Sequence, residues 1–303
     1  MTKLNWWKED WNIKLPEIKN TKWVKRLKNW IIVCTDENLK WQTINFDWKE
    51  YYIAKHYKDL KDIVKDRDNK IKADHIITSF VDDLSFLFKW QKSFNLDISH
   101  WDTSNVKSMH ETFSQCEDFN IDISNWNVEN VVNMNCMFEK CDSFNQPIWK
   151  WNISNVKNIA WMFSWAKRFN QPLNDWNTSN VVFMNWTFSD ARQFNQDLDK
   201  WNTWNVQQTQ FMFKWCENFN WNISTWNTHN FENLNYMFWW CEKFNKDLSN
   251  WNTWKVYSMI ETFRDCYEFD QDLTNWNTKN VIYYDEFSLN ANKNWTRKPI
   301  FKK

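Results

Sequence analysis

The stretch WDTSNVKSMHETFSQCEDFNIDISN, residues 101–125, is one copy of a unit that occurs eight times in this chain. Its first tryptophan returns every 25 residues with no insertion or deletion. The phased tryptophans are Trp101, Trp126, Trp151, Trp176, Trp201, Trp226, Trp251 and Trp276. Because so short a unit cannot bury an apolar face alone, its copies are expected to stack and form one continuous core.

Two further ladders keep the same period. A phenylalanine lies seven residues before each phased tryptophan, and an isoleucine or leucine lies three residues before it. These residues are Phe94, Phe119, Phe144, Phe169, Phe194, Phe219, Phe244 and Phe269, and Ile98, Ile123, Ile148, Leu173, Leu198, Ile223, Leu248 and Leu273.

Within each unit, the spacing of apolar residues predicts a short helix and then a short strand. Val106, Met109 and Phe113 fall on one face at helical spacing, and Asn105 stands where a helix N-cap is expected. The segment 123–126 is short and bounded by polar turn residues, which is typical of a strand. We therefore expect an α/β solenoid.

The sequence divides into three segments. Residues 1–75 are expected to form an N-terminal cap with a β-hairpin and a short amphipathic helix that buries Leu60 and Ile63. Residues 76–290 hold a half-repeat and the eight 25-residue repeats. Residues 291–303 form a basic tail.

An asparagine or aspartate follows every phased tryptophan. We expect these side chains to satisfy backbone groups in the turns. A metal-binding row is the alternative, but oxygen-ligand sites usually need several carboxylates. These residues are Asp102, Asn127, Asn152, Asn177, Asn202, Asn227, Asn252 and Asn277.

Five of the seven cysteines also share one column, in which Ala166 and Ala191 replace them in two repeats. Cysteine alternating with alanine indicates a small buried position, since free cysteine packs as a small apolar side chain. Disulfides between neighbouring repeats are the alternative. The column holds Cys116, Cys141, Cys216, Cys241 and Cys266, whereas Cys34 and Cys136 lie outside it.

The chain contains 27 tryptophans and no glycine. An average chain of this length would hold roughly 21 glycines. Trp240 shares its column with polar residues such as Gln115 and Asp190, just past the apolar run, where the left-handed conformation and glycine are favoured. The off-phase tryptophans of the repeats are Trp90, Trp149, Trp161, Trp165, Trp186, Trp204, Trp215, Trp221, Trp239, Trp240 and Trp254.

The N-terminal region shows the same substitution pattern. Two strand-like runs flank Asp47 and Trp48, where Asp-Gly would be a strong hairpin signal. We interpret most off-phase tryptophans as UGA codons that the organism decodes as glycine. The alternative is a tryptophan-rich surface, which would carry large exposed apolar patches.

With glycine at those positions, FNQPIWKWNISNV (residues 144–156) and FNQDLDKWNTWNV (residues 194–206) resemble the repeat of BspA-like leucine-rich-repeat surface proteins. This unit is also described as the mycoplasma-type surface lipoprotein repeat. The resemblance spans about residues 76–288. It implies an elongated leucine-rich-repeat-like solenoid on the cell surface or secreted, with adhesion or binding of a protein ligand on a host or neighbouring cell. The sequence itself shows no signal peptide or anchor.

Composition and motifs argue against other classes of function. The formal net charge is zero, which disfavours a nucleic-acid partner. No run of 18 apolar residues predicts a transmembrane segment. The five histidines form no ladder or ligand pair. We therefore expect no catalysis, no cofactor and no metal. An intracellular interaction scaffold of the same fold and an enzyme or glycan-processing accessory are the rival hypotheses.

The candidate binding face consists of the variable positions between the Ile/Leu ladder and the phased tryptophans. A row of such positions on a solenoid can form a binding surface. For any single residue, the simpler interpretation is a solvated side chain, and only the row as a set favours binding. The candidates are Ser99, His100, Ser124, Asn125, Lys150, Asn174, Asp175, Asp199, Lys200, Ser224, Thr225, Ser249 and Asn250.

Overall fold

The computed structural model describes residues 22–65 and 72–302, so the remaining parts of the predicted cap and the last residue of the tail lie outside the described residues. Its regular elements all precede the repeats. They are β1 (Val24–Arg26), β2 (Ile32–Cys34), β3 (Thr43–Phe46), β4 (Lys49–Ile53), α1 (Tyr57–Lys65) and β5 (Ile76–Ile77), with 3-10 turns at Glu37–Leu39 and Ala73–His75.

Strands β1 and β2 form an antiparallel pair, and β4 lies between β3 and β5 in a second sheet, antiparallel to β3 and parallel to β5. Helix α1 buries Leu60 and Ile63 as its amphipathic pattern predicts. Phe46 pairs with Lys49, which leaves Asp47 and Trp48 as a two-residue turn with φ of 48° and 62°. These positive values match a type I′ hairpin, so the hairpin prediction is confirmed.

The predicted helix and strand of each repeat are wrong. From residue 78 to residue 302 the backbone consists of turns and bends, with one isolated parallel bridge between successive repeats. The segment 123–126 is a turn closed by the Trp126 amide, which donates to the Ile123 carbonyl at 3.0 Å. The bridge lies instead at the column of Ser108, which pairs with Asp83 on one side and Asn133 on the other.

Residues 108–115 and their equivalents form a segment that we call a rung. Within a rung, alternate amides bond differently. Those of Met109, Glu111, Phe113 and Gln115 donate to carbonyls of the next repeat at 2.7–3.0 Å. Of the amides between them, those of Thr112 and Ser114 donate to carbonyls three residues earlier in the same rung, and that of His110 donates to the Ser108 hydroxyl. In an α-helix, amides beyond the first turn donate to carbonyls four residues earlier, and no amide of the rung does so. The apolar spacing that suggested a helix therefore belongs to consecutive turns.

Two positions in every rung adopt the left-handed conformation. The first left-handed column has φ of 50–62° and the second has φ of 55–69°. The second confirms the prediction made for the Trp240 column, and the first was not foreseen. The members are Phe86, Glu111, Cys136, Trp161, Trp186, Phe211, Tyr236, Glu261 and Glu286, and Trp90, Gln115, Lys140, Trp165, Asp190, Trp215, Trp240, Asp265 and Asn290.

The core consists of aromatic ladders, as the phased residues predict. Five of the seven neighbouring pairs of phased tryptophans stack with ring centroids 6.1–6.5 Å apart, for example Trp101 on Trp126 at 6.2 Å. Each phased indole also donates to the carbonyl 28 residues earlier, at 2.9–3.3 Å. Phe113 stacks on Phe119 at 4.0 Å, and this pair recurs along the repeats. The ladders therefore bury both the apolar surface and the indole donors.

Polar ladders satisfy the turns. The side chain that follows each phased tryptophan accepts from the amide two residues later at 3.0–3.2 Å, so the predicted turn role is confirmed. Asn105 is not a helix cap. Its side-chain amide donates at 2.7 Å to the Ser79 carbonyl of the preceding repeat, because the segment after it is a turn.

The cysteine column is buried and free of disulfides, which confirms the core interpretation. Each thiol in it donates at 2.9–3.1 Å to the carbonyl 28 residues earlier, as Cys141 does to Phe113. Burial raises the pKa of the Cys116 thiol to about 12. A thiol is nucleophilic only as the thiolate, so this column is chemically inert in the folded chain.

Candidate functional site

The candidate binding face lies on one turn of each repeat. The amide of a phased tryptophan donates to the carbonyl of the Ile/Leu residue three positions earlier, as Trp126 does to Ile123. Both flanking residues are buried, so the two central residues of the turn are the ones that project outward. The first central residue is half-buried, as at Ser124, and the second is exposed, as at Asn125.

Most of these turns are braced by the residue two positions before the first central one. Asp97, Asp122 and Asp247 each accept from the amide of the serine two residues on, at 2.8–3.0 Å. Such Asx turns fix the backbone, so the side chains at the turn centre are presented in a defined position. The turns therefore form a rigid row whose chemistry changes from repeat to repeat.

The centre of the row is held together by side-chain contacts. Asn174 donates to the Asp199 carboxylate at 2.9 Å, and the Lys200 ammonium lies 2.8 Å from Asp175. The hydrogen bond that Lys200 donates to the Asp175 carboxylate raises the pKa of Lys200. Thr225 donates to the Asp199 carbonyl at 2.6 Å and links the next repeat. These residues form one polar patch across three turns.

The prediction is wrong for His100, which is only 7% exposed. Its Nε2 lies 3.1 Å from the Ile76 carbonyl, and its own carbonyl accepts from the Ile32 amide at 2.9 Å. Burial lowers the pKa of His100. The residue lies in the half-repeat before Trp101, which packs against the N-terminal strands, and that contact removes it from the face.

A second surface, which sequence reasoning missed, carries stacked aromatic rings. Trp161, Trp186, Phe211 and Tyr236 follow one another in the first left-handed column, with centroids 4.2, 3.9 and 4.5 Å apart. They are half-buried, and positive φ at every rung aims them to the same side. The sequence signal was present, because Phe211 and Tyr236 already shared this column with two tryptophans.

Lys214 lies within this aromatic surface. Its ammonium is 4.3 Å from the Trp239 ring centroid, 4.6 Å from Trp215 and 5.3 Å from Trp186. Cation–π attraction favours such contacts, while burial lowers the pKa of Lys214. The chain's own Lys214 thus occupies the cation position on this aromatic surface.

The second left-handed column contains a buried carboxylate, that of Asp190. Asp190 is completely buried, with Oδ1 accepting from Arg192 at 2.8 Å and Oδ2 without a hydrogen-bond partner among the described residues. Trp165 and Trp215, which flank Asp190 in the column, approach each other to 6.0 Å. A buried carboxylate oxygen without a partner is destabilising, so this placement of two indoles conflicts with the residue between them.

No group of three or more His, Cys, Asp or Glu side chains among the described residues is arranged to hold a metal ion. None of the helices in the described part of the chain has the length and apolar character needed to cross a bilayer.

Comparison with known proteins gives one result. A family model described as Mycoplasma protein of unknown function, DUF285, matches residues 58–168, 148–239 and 200–297. The three matches overlap and together cover all the repeats. Neither the curated proteins nor the solved structures contain a match.

Proposed function

This chain belongs to the mycoplasma family of unknown function DUF285, and we propose that it is a non-catalytic binding protein of the bacterial surface. The proposed activity is adhesion or recognition of a protein ligand. One observation carries it. The positions that recur in every repeat are buried or bonded within the ladders, whereas the exposed turn centres differ from repeat to repeat. Variable residues on a repeated scaffold are the usual basis of binding by repeat proteins.

The proposed architecture is a leucine-rich-repeat-like solenoid of the BspA-like type. The resemblance of the FNQ-containing repeats to that family supports it. So does the bonding of each rung to its immediate neighbours, which is typical of folds in which each repeat contacts only the adjacent ones.

We also propose that most off-phase tryptophans are glycine in the organism, decoded from UGA. Six of them have positive φ: Trp90, Trp161, Trp165, Trp186, Trp215 and Trp240. Glycine adopts that conformation without steric cost, whereas tryptophan does not. Glycine at the positions of Trp165 and Trp215 would also open the Asp190 carboxylate to water.

Charge reversal on the candidate face tests the proposed activity. We expect beads coated with the chain to attach to cultured epithelial cells, and to lose attachment when the cells are first treated with trypsin. The double variant Lys150→Glu/Lys200→Glu should attach at least about fivefold less, because it reverses two exposed charges on the face. Attachment is counted by microscopy.

The matched control is Lys107→Glu/Lys157→Glu. It makes the same charge change at exposed residues that are also two repeats apart, but in a different column. Equal loss in both variants, or attachment that survives trypsin, would contradict binding of a protein through this face. An antibody that reaches the protein on intact cells of the source organism separates surface display from the intracellular scaffold hypothesis.

A further inference from the structure

The last rung presents a row of unused backbone donors. In the preceding rung, Met259 donates to the Tyr283 carbonyl at 2.7 Å and Asp265 donates to that of Leu289 at 2.9 Å. The equivalent amides of the last rung have no acceptor among residues 22–65 and 72–302. These amides belong to Tyr284, Glu286, Ser288 and Asn290.

The last rung keeps the backbone geometry of the inner rungs. Glu286 and Asn290 have φ of 53° and 56°, as do the members of their columns in other repeats. Both residues are exposed. The four donors are therefore held two residues apart in the arrangement that binds a neighbouring rung elsewhere in the chain. We call this row the donor edge.

The polarity of the rungs limits what can bind there. The four amides of each inner rung donate to carbonyls of the following repeat, whereas the amide just before each rung donates to the preceding repeat, as Ile282 does to the Tyr257 carbonyl. The donor edge thus offers four N–H groups with one carbonyl, that of Ile282, beside them. Pairing of two copies through this edge would place donors opposite donors. Stacking on the first rung of a second copy is obstructed as well. There the Ser85 carbonyl accepts from the Tyr57 hydroxyl, and Ser85 and Leu87 are buried.

An apolar groove runs beside the donor edge. The segment after the last rung folds back, with the Ile300 carbonyl accepting from the Thr278 hydroxyl at 2.5 Å and the Phe301 ring stacked 4.4 Å from that of Tyr284. The groove has a volume of about 360 Å³. Its lining includes Tyr284, Phe287, Leu289, Pro299 and Phe301, together with the polar residues Glu286, Ser288 and Lys298.

We propose that the donor edge binds an extended segment of a partner polypeptide. The main-chain carbonyls of that segment accept from the four amides, and its apolar side chains enter the groove. Backbone pairing of this kind is a recurrent mode of peptide recognition at open edges. The site is separate from the candidate face of the turn centres, so either proposal can fail without the other.

A rung peptide is the direct probe. The peptide VKNIAWMFSWAKRFN, residues 156–170 of this chain, carries carbonyls that accept from a preceding rung in the structure. We expect the labelled peptide to bind the 303-residue chain in fluorescence anisotropy, and a scrambled peptide of the same composition to bind at least about tenfold more weakly.

One donor can be removed with a matched control. Ser288→Pro deletes an amide hydrogen, whereas Ser288→Ala deletes only the hydroxyl that accepts from Lys298. Losing one backbone hydrogen bond should weaken peptide binding about threefold to tenfold in the proline variant relative to the alanine variant. Thermal unfolding of both variants shows whether the proline is tolerated.

Amide hydrogen exchange of the wild-type chain makes the test independent of any substitution. Bound peptide should slow exchange at Tyr284, Glu286, Ser288 and Asn290. Absence of binding by the rung peptide, binding equal to that of the scrambled peptide, or binding without protection of these amides would overturn the proposal. Concentration-dependent dimerisation through this edge in sedimentation would also overturn it, since pairing of like edges would place donors opposite donors.

Discussion

Trp176→Ala is expected to lower the free energy of unfolding by about 3–5 kcal/mol, the range found when a buried tryptophan or phenylalanine is truncated. The Trp176 side chain is 2% exposed and stacks on Trp201 at 6.5 Å. Its indole also donates to the Ile148 carbonyl at 3.2 Å, so the substitution removes packing and leaves a buried acceptor with one partner fewer. Urea unfolding followed by circular dichroism measures the change.

Trp204→Ala is the control, because it removes the same side chain from an exposed position. Trp204 is 55% exposed, and its change should stay within about 0.5 kcal/mol. If the two substitutions had similar effects, the division between phased core tryptophans and off-phase tryptophans would be wrong.

Trp48→Gly and Trp90→Gly are expected to stabilise the chain by about 1 kcal/mol each, since a left-handed backbone is costly for tryptophan and not for glycine. Their φ values are 62° and 69°. Both side chains are well exposed, so little packing is lost. The two sites lie in different structural units and should add to about 2 kcal/mol in the double variant.

Trp204→Gly and Trp254→Gly are the matched controls. Both positions are similarly exposed, but neither has positive φ, and glycine there should cost about 0.5–1 kcal/mol of backbone entropy. Stabilisation at all four positions, or at none, would show that positive φ does not determine the effect of a Trp→Gly substitution. The gene gives a separate readout of recoding. Off-phase tryptophan codons should be UGA and phased ones UGG, and a mixture without phase would contradict recoding.

Much of the repeat could be predicted because period and burial leave direct marks on sequence. The Trp126 ladder, the Cys116 column and the left-handed position of Gln115 all follow from which residue types share a column. The Asp47–Trp48 turn was equally accessible, since the strand-like runs on both sides fix its length. In each case the residue types within one column or one turn are enough to predict the conformation or burial.

The local backbone of the rung could not be predicted in the same way. Met109 and Phe113 lie on one side in a helix and also in consecutive turns, so apolar spacing does not separate the two. The deciding factor is that alternate amides, such as that of Glu111, bond to the next repeat. That choice depends on neighbours 25 residues away. The burial of His100 also depends on a distant contact, with the Ile76 strand.

Amide hydrogen exchange of the unliganded chain tests the stacking of rungs most directly. If alternate amides depend on the following repeat, those of Met109, Glu111 and Phe113 should exchange at least about 100-fold more slowly than their counterparts in the last rung. Those counterparts, Tyr284, Glu286 and Ser288, have no following rung among the described residues. Equally slow exchange in inner and last rungs, as a self-contained helix in each repeat would give, would contradict the account.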